Sequence, residues 1–160
     1  MVKPYKNLDY PQRSFVTEFV EKHSQKNQFF SQVDALIDWT PIEVELKKIY
    51  TRGLTDRGAK AYSPLLLFKM HLISEWYLLS DTQTETMVYD SISALKFCGL
   101  SLEDNVPGHS TLSRFKKELT DRDALQNLSS NVSEQLNKLN FQIKKGAPRT
   151  DAKLQGISRK

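Results

Sequence analysis

Ser63-Pro64-Leu65-Leu66-Leu67-Phe68-Lys69-Met70-His71-Leu72-Ile73-Ser74-Glu75-Trp76-Tyr77-Leu78-Leu79 is the stretch whose reading decides the fold. It opens with a serine suited to an N-cap, then a proline suited to the first helical position, where its missing N–H costs nothing. Apolar side chains follow on nearly every side of a helical wheel, interrupted by the stripe His71, Ser74 and Glu75. A helix apolar nearly all round belongs at the centre of a bundle. Leu65 to Leu79, broken by Lys69, His71, Ser74 and Glu75, is too short to cross the roughly 30 Å of a bilayer's hydrocarbon, so the stretch reads as a core helix.

Toward the N-terminus, Phe15, Val16, Phe19 and Val20 recur at helical spacing between Pro11 and His23. Phe29, Phe30, Val33, Leu36 and Ile37 do the same before Trp39, which predicts two short amphipathic helices. Thr40-Pro41 opens a third, with Ile42, Leu46, Ile49 and Tyr50 as its apolar stripe. Between Thr51 and Ala61 the pattern stops, and Gly53, Gly58, Arg52, Asp56, Arg57 and Lys60 mark a turn or hinge loop.

Toward the C-terminus, Ser80 and Gln83 have the spacing of a capping box, which starts a helix through Met87, Val88 and Tyr89. A shorter helix around Ile92 to Phe97 is ended by Gly99 and by the acidic, proline-containing stretch Ser101 to Pro107. Ser110 is predicted to cap a helix carrying Leu112, Phe115 and Leu119 on one side. From Asp121 to about Asn140, Leu125, Leu128, Val132, Leu136 and Leu139 recur at three or four residues. That stripe either packs into the chain's own core or forms a seam with another helix. No convincing strand precedes Phe141.

The chain has 160 residues, 39% hydrophobic and 26% charged, values that suit a soluble globular domain needing no disulfide or metal as a staple. Cys98 is the sole cysteine, which excludes an intramolecular disulfide and a cysteine-rich zinc site and is compatible with the cytoplasm, the expected location. Within Leu95 to Leu100 it reads as a small buried apolar side chain. His23, His71 and His109 show no metal-ligand spacing and read as surface or hydrogen-bonded residues. Met1 to Tyr5 runs into Lys6, Asp9 and Arg13 without an apolar segment, so no signal peptide of the usual pattern is expected, nor any membrane partner.

The formal charge of +4 is uneven: residues 144–160 hold six Lys or Arg against Asp151, so residues 1–143 sum to −1. A basic tail of this kind is either simply solvated or a flexible arm attracted to phosphates, with Lys144 and Lys145 its first cations.

The Ser110 helix carries the chemistry. At about 100° per residue, Leu112, Phe115 and Leu119 gather on one face, with Ser110, Ser113, Arg114 and Lys117 opposite. Hydroxyls and long cations are the groups that bond phosphate oxygens and guanine edges, and a helix N-terminus adds free amides for a backbone phosphate, with His109 in reach of one. With the preceding helix from Ser80 to Asp90, this suits a helix-turn-helix-like reader with a long connection. A plain solvated face is the other reading of the same pattern.

Ordered segments then narrow the choice: Ala61 to Lys69, Trp76 to Asp81, Tyr89-Asp90-Ser91, Phe97 to Leu102, and Val106-Pro107-Gly108-His109-Ser110-Thr111-Leu112-Ser113-Arg114-Phe115. In that order and spacing they resemble the N-terminal domain of InsH-type transposases of the insertion sequence five family, over about residues 45 to 120. The resemblance implies a helical domain that recognises the terminal inverted repeats of a mobile element. It also implies a following RNase H-like domain whose three carboxylates hold divalent metal such as Mg2+. Lys145-Gly146-Ala147-Pro148-Arg149-Thr150-Asp151-Ala152-Lys153-Leu154 resembles the point where such enzymes place the first catalytic aspartate, which puts Asp151 at that position. Pro148 cannot donate to a sheet ladder, and Arg149 and Thr150 replace apolar residues expected in a buried strand, so Asp151 reads as vestigial.

The expectation is therefore an all-α multi-helix bundle with a helix-turn-helix-like DNA-binding unit and a flexible basic tail. Residues 1–50 are N-terminal helices, 51–61 a connecting loop, 62–143 the DNA-binding domain, and 144–160 the tail, a vestige of the first catalytic strand. The expected function is sequence-specific binding of double-stranded DNA, as a transposase front part cut off before its catalytic domain, with no catalytic residue, metal or cofactor of its own. His109, Ser110, Thr111, Ser113, Arg114, Lys116, Lys117, Lys144 and Lys145 are the expected DNA contacts. The alternative is a module that pairs through its leucine seam with itself or with a full-length transposase, without reading DNA.

Overall fold

The computed structural model describes residues 28–50, 62–147 and 150–157. The helix expected around Phe15 to Val20 and the loop at 51–61 lie outside them. Among the described residues the order is α1 (Phe29–Leu36), α2 (Thr40–Ile49), α3 (Pro64–Tyr77), α4 (Asp81–Asp90), α5 (Ile92–Phe97), α6 (His109–Asp121), α7 (Ala124–Lys138), β1 (Phe141–Lys144) and β2 (Lys153–Gly156).

The helix read as central is central. Leu67, Phe68, Met70 and Ile73 of α3 are completely buried, and α3 packs against α2, α4 and α6. Its polar stripe turns inward: His71 Nε2 lies 2.9 Å from Glu75 Oε1 and 3.3 Å from the Ser129 hydroxyl of α7, so buried polar atoms meet one another. Lys69 is also buried; its ammonium donates to Asp34 Oδ1 of α1 at 2.9 Å and to the Phe97 carbonyl of α5 at 3.1 Å, beneath the Trp39 ring. Aromatic rings weld the N-terminal helices to this centre, Phe29 against Trp76, Phe30 stacked on Phe97, and Tyr50 edge-on to Phe115 of α6. Buried residues from both sides of 51–61 thus belong to one core cluster.

Caps and turns define the ends. α3 stops where Leu78 enters the left-handed region at φ 56°. The predicted capping box forms in full, with the Gln83 amide donating to Ser80 Oγ at 3.1 Å and the Ser80 amide to Gln83 Oε1 at 2.9 Å. Ser91 caps α5 by accepting from the Ala94 amide, and Gly99 supplies the φ of 79° that follows it. Two expected caps are absent: Ser63 makes no capping hydrogen bond, and α6 begins at His109 with Gly108 rather than Ser110 at the N-cap. Cys98 is buried as expected, and burial pushes its thiol up to about 12, which leaves it unreactive.

The leucine seam is core. Leu128, Val132 and Leu136 of α7 are buried within the chain, leaving Leu139 exposed beyond the helix end. Three of the five stripe residues are thus covered by the chain's own core, and Leu125 is half-buried.

The expectation of an all-α fold with a flexible tail needs correction. β1 and β2 form an antiparallel two-stranded hairpin in the register Phe141↔Gly156, Gln142↔Gln155, Ile143↔Leu154 and Lys144↔Lys153. Alternation explains it: Phe141, Ile143 and Leu154 turn toward the core while Gln142, Lys144, Lys153 and Gln155 turn out. The hairpin is anchored by the Gly146 amide on the Trp76 carbonyl at 2.7 Å, the Ile157 amide on the Asn140 carbonyl at 2.7 Å, and by fully sunk Ala152. A Cβ on Gly146 would collide with the Thr150 carbonyl and the Ala152 amide, so the close approach requires glycine there. No helix among the described residues is long and apolar enough to cross a membrane.

Candidate nucleic-acid interface

α6 sits as its periodicity requires. Leu112, Phe115 and Leu119 are completely buried, and α6 packs on α3, α4 and α7. Ser110, Ser113, Arg114 and Lys117 are exposed, Thr111 and Lys116 half-buried. α4 and α6 lie against each other, joined through α5 and the segment 98–108, whose Pro107 is buried.

What the neighbouring helix does to these side chains was not foreseen. Asp81, at the start of α4, accepts from the Ser113 hydroxyl at 2.6 Å and from the Lys116 ammonium at 2.7 Å. Glu85, one turn on, accepts from the His109 backbone amide at 2.5 Å and lies 2.9 Å from His109 Nδ1. The amide expected to be free for a phosphate at the α6 N-terminus is therefore already met by a carboxylate, the charge that position favours. Lys117 pairs with Asp121 at 2.9 Å on its own helix, an exposed pair of small worth.

The titration of both acids follows this geometry. Burial pushes the Asp81 carboxyl up, but the hydrogen bonds from Lys116 and Ser113 and the charge of Lys116 outweigh it and hold the group below its ordinary value. Glu85 is lowered by the backbone and then the side-chain hydrogen bond of His109. Asp81 and Glu85 stand at i and i+4, on one face of α4; that spacing was the available signal for this missed pairing.

Arg114 remains. It is exposed and, among the described residues, makes no ion pair; with Ser110 it forms the part of the α6 outer face that is still unengaged. α4 and α6 together carry Arg114, Lys116 and Lys117 against Asp81, Glu85, Asp90, Glu118 and Asp121, so the pair is not net cationic. Acidic side chains therefore outnumber basic ones on the pair, and Arg114 is its one cation without an ion pair among the described residues.

The other expected residues lie elsewhere. Lys144 and Lys145 are exposed on and just after β1, which packs on α7. Asp151, exposed, lines a hollow with Asp90, Thr82 and Thr86 over Tyr77, Leu79 and Met87. Two carboxylates on an apolar floor do not fit a two-metal centre, and among the described residues no three His, Cys, Asp or Glu gather to hold an ion. A larger hollow of about 510 Å³ between α3, α7 and β1 has Glu75, Ser129, Ser133, Asn137 and Lys145 in its wall.

A family model described as a transposase domain (DUF772) matches residues 18–118. No solved structure matches the chain.

Proposed function

Because the chain belongs to the DUF772 family of transposase domains, we propose that it binds DNA in transposition, recognising the terminal inverted repeats of an insertion sequence with α4 and α6 as a helix-turn-helix-like unit. In this reading α6 is the recognition helix and α4 the helix that sets its angle. The observation that carries it is the seating of α6: its apolar ridge is sunk in the core while Arg114 and Ser110 stand outside with no partner among the described residues. An exposed, unpaired arginine on a rigid helix is the group best suited to a bidentate bond with guanine O6 and N7. The InsH-type subfamily and its terminal repeats belong to this proposal, as does placement in the cytoplasm.

Among the expected contacts, Ser113, Lys116 and His109 act here as positioning residues, because their bonds to Asp81 and Glu85 fix the α4–α6 angle. Fluorescence anisotropy of the full chain on a duplex of the source element's terminal repeat tests the reading. Affinity roughly a thousandfold or more above that for a scrambled duplex at the same salt is expected, since specific sites typically exceed non-specific binding by roughly 10³ or more. Equal affinity for both duplexes would reject repeat recognition.

A further inference from the structure

The α4–α6 unit cannot supply the salt-sensitive attraction to phosphates that holds most DNA-binding proteins to a duplex, since its carboxylates outnumber its cations. The hairpin presents the opposite balance. Lys144 and Lys153 are directly opposed in the ladder, on the outward face beside the hydrogen-bonded pair Gln142–Gln155 at 3.3 Å. Both lysines are exposed, and among the described residues neither has an ion-pair partner. Like charges directly opposite on adjacent strands destabilise a sheet, so this arrangement works against the hairpin's own stability.

The register leaves no escape from that repulsion. Ile143 and Leu154 face inward, and a slip of one strand by one residue would turn its lysine toward the core and its apolar residue out. The anchors at Gly146, Ala152 and Ile157 hold the hairpin to the helices, so the two ammonium groups are presented together rather than spread along a tail. Lys145 differs: it lies off the ladder, in the wall of the hollow that also holds Glu75, where it faces a carboxylate. We infer that the outer face of the hairpin, Lys144 and Lys153 with Gln142 and Gln155, is a separate duplex-DNA contact that grips backbone phosphates. Stems rising from positions about 5 Å apart bring two charges to neighbouring phosphates, and the amides add neutral donors. α7, which packs against both α6 and β1, joins this grip to the reading helix.

The inference rests on the DNA-binding reading but not on repeat recognition, and the experiment separates them. The full chain and its Lys144→Gln/Lys153→Gln variant are titrated with the terminal-repeat duplex and with a scrambled duplex between 50 and 200 mM salt. Lys47→Gln/Lys48→Gln, which removes the same charge from the exposed side of α2, is the control. The hairpin variant is expected to weaken binding to both duplexes alike, with a salt slope shallower by about 1.8, at roughly 0.9 per phosphate contact, while the control keeps the wild-type slope. Its melting temperature should not fall, because a repulsion has been removed. A wild-type slope in the hairpin variant, or the same shallower slope in the control, overturns the inference and leaves repeat recognition standing. A shallower slope specific to the hairpin variant in a chain with no preference for the repeat supports the inference and sinks the recognition reading. No binding to either duplex at any salt overturns both.

Discussion

Arg114 and Lys116 are two residues apart on one helix, carry the same charge and do different work. The Lys116 ammonium is held by Asp81, whereas the Arg114 guanidinium makes no ion pair with another described residue. A pattern of basic residues does not distinguish them; the carboxylate that separates them comes from 35 residues earlier. The difference is measurable. Arg114→Ala should leave the melting temperature within a degree or so of wild type, because the side chain is exposed and makes no ion pair among the described residues. Its cost should fall on discrimination between the repeat and a duplex altered at one base pair, on the order of 1 to 3 kcal/mol, with preference relaxed at that base alone. Base-by-base substitution of the repeat in an anisotropy assay reads this directly. Uniform loss at every base would move Arg114 from reading to phosphate contact.

At the scale of elements, the helices follow rules that act within a few residues, and these were legible. The capping box of α4, the extent of α5 and the apolar ridge of α6 stand where spacing put them. The α6 cap was misassigned because Gly108 and Ser110 both suit an N-cap, and the choice was made by Glu85, from another element, binding the His109 amide. The pairing of α4 with α6 depends on Asp81 staying ionised, which gives it a pH dependence of known sign. Its carboxyl is held below the ordinary 3.8, so the unfolded chain takes up that proton first as pH falls. The stabilisation is thus complete above the ordinary aspartate range and is lost as pH drops through the lower folded value. Asp81→Asn should cost on the order of 1 to 3 kcal/mol at pH 7, since it strips a charged acceptor from a half-buried lysine and a hydroxyl. Urea midpoints of wild type and variant should converge below pH 3.8, and an undiminished gap there would mean that the carboxylate's charge is not what joins the helices.

Across the whole molecule, the sequence was most informative where a residue's surroundings are its own near neighbours and least where they come from far along the chain. The centrality of α3 was readable from its all-round apolarity, but not that Lys69 would be buried between α1 and α5, or that His71 and Glu75 would meet Ser129 of α7. The hairpin escaped for a related reason. Lys144 and Lys153 look like a solvated run until Ile143, Leu154 and Ala152 are seen to have a surface to lie on, and that surface is built by α7, α1 and the end of α3. Burying the reading helix's ridge and the hairpin's inner face against the same helices makes the presentation of both candidate DNA surfaces depend on one core. Leu67, completely buried on α3, tests that dependence from a position that lies in neither surface. Leu67→Ala should lower stability by about 2 to 5 kcal/mol through lost transfer energy and the cavity left behind. The loss should appear at one shared midpoint in tryptophan fluorescence, which reports Trp39 and Trp76, and in far-ultraviolet circular dichroism, which reports the helices. Below that midpoint, affinity for the repeat and the salt slope set by the hairpin should both stay at wild-type values, and beyond it they should vanish together. Two separated transitions, with the salt slope surviving the first, would show that the hairpin and the reading helix are held by different cores.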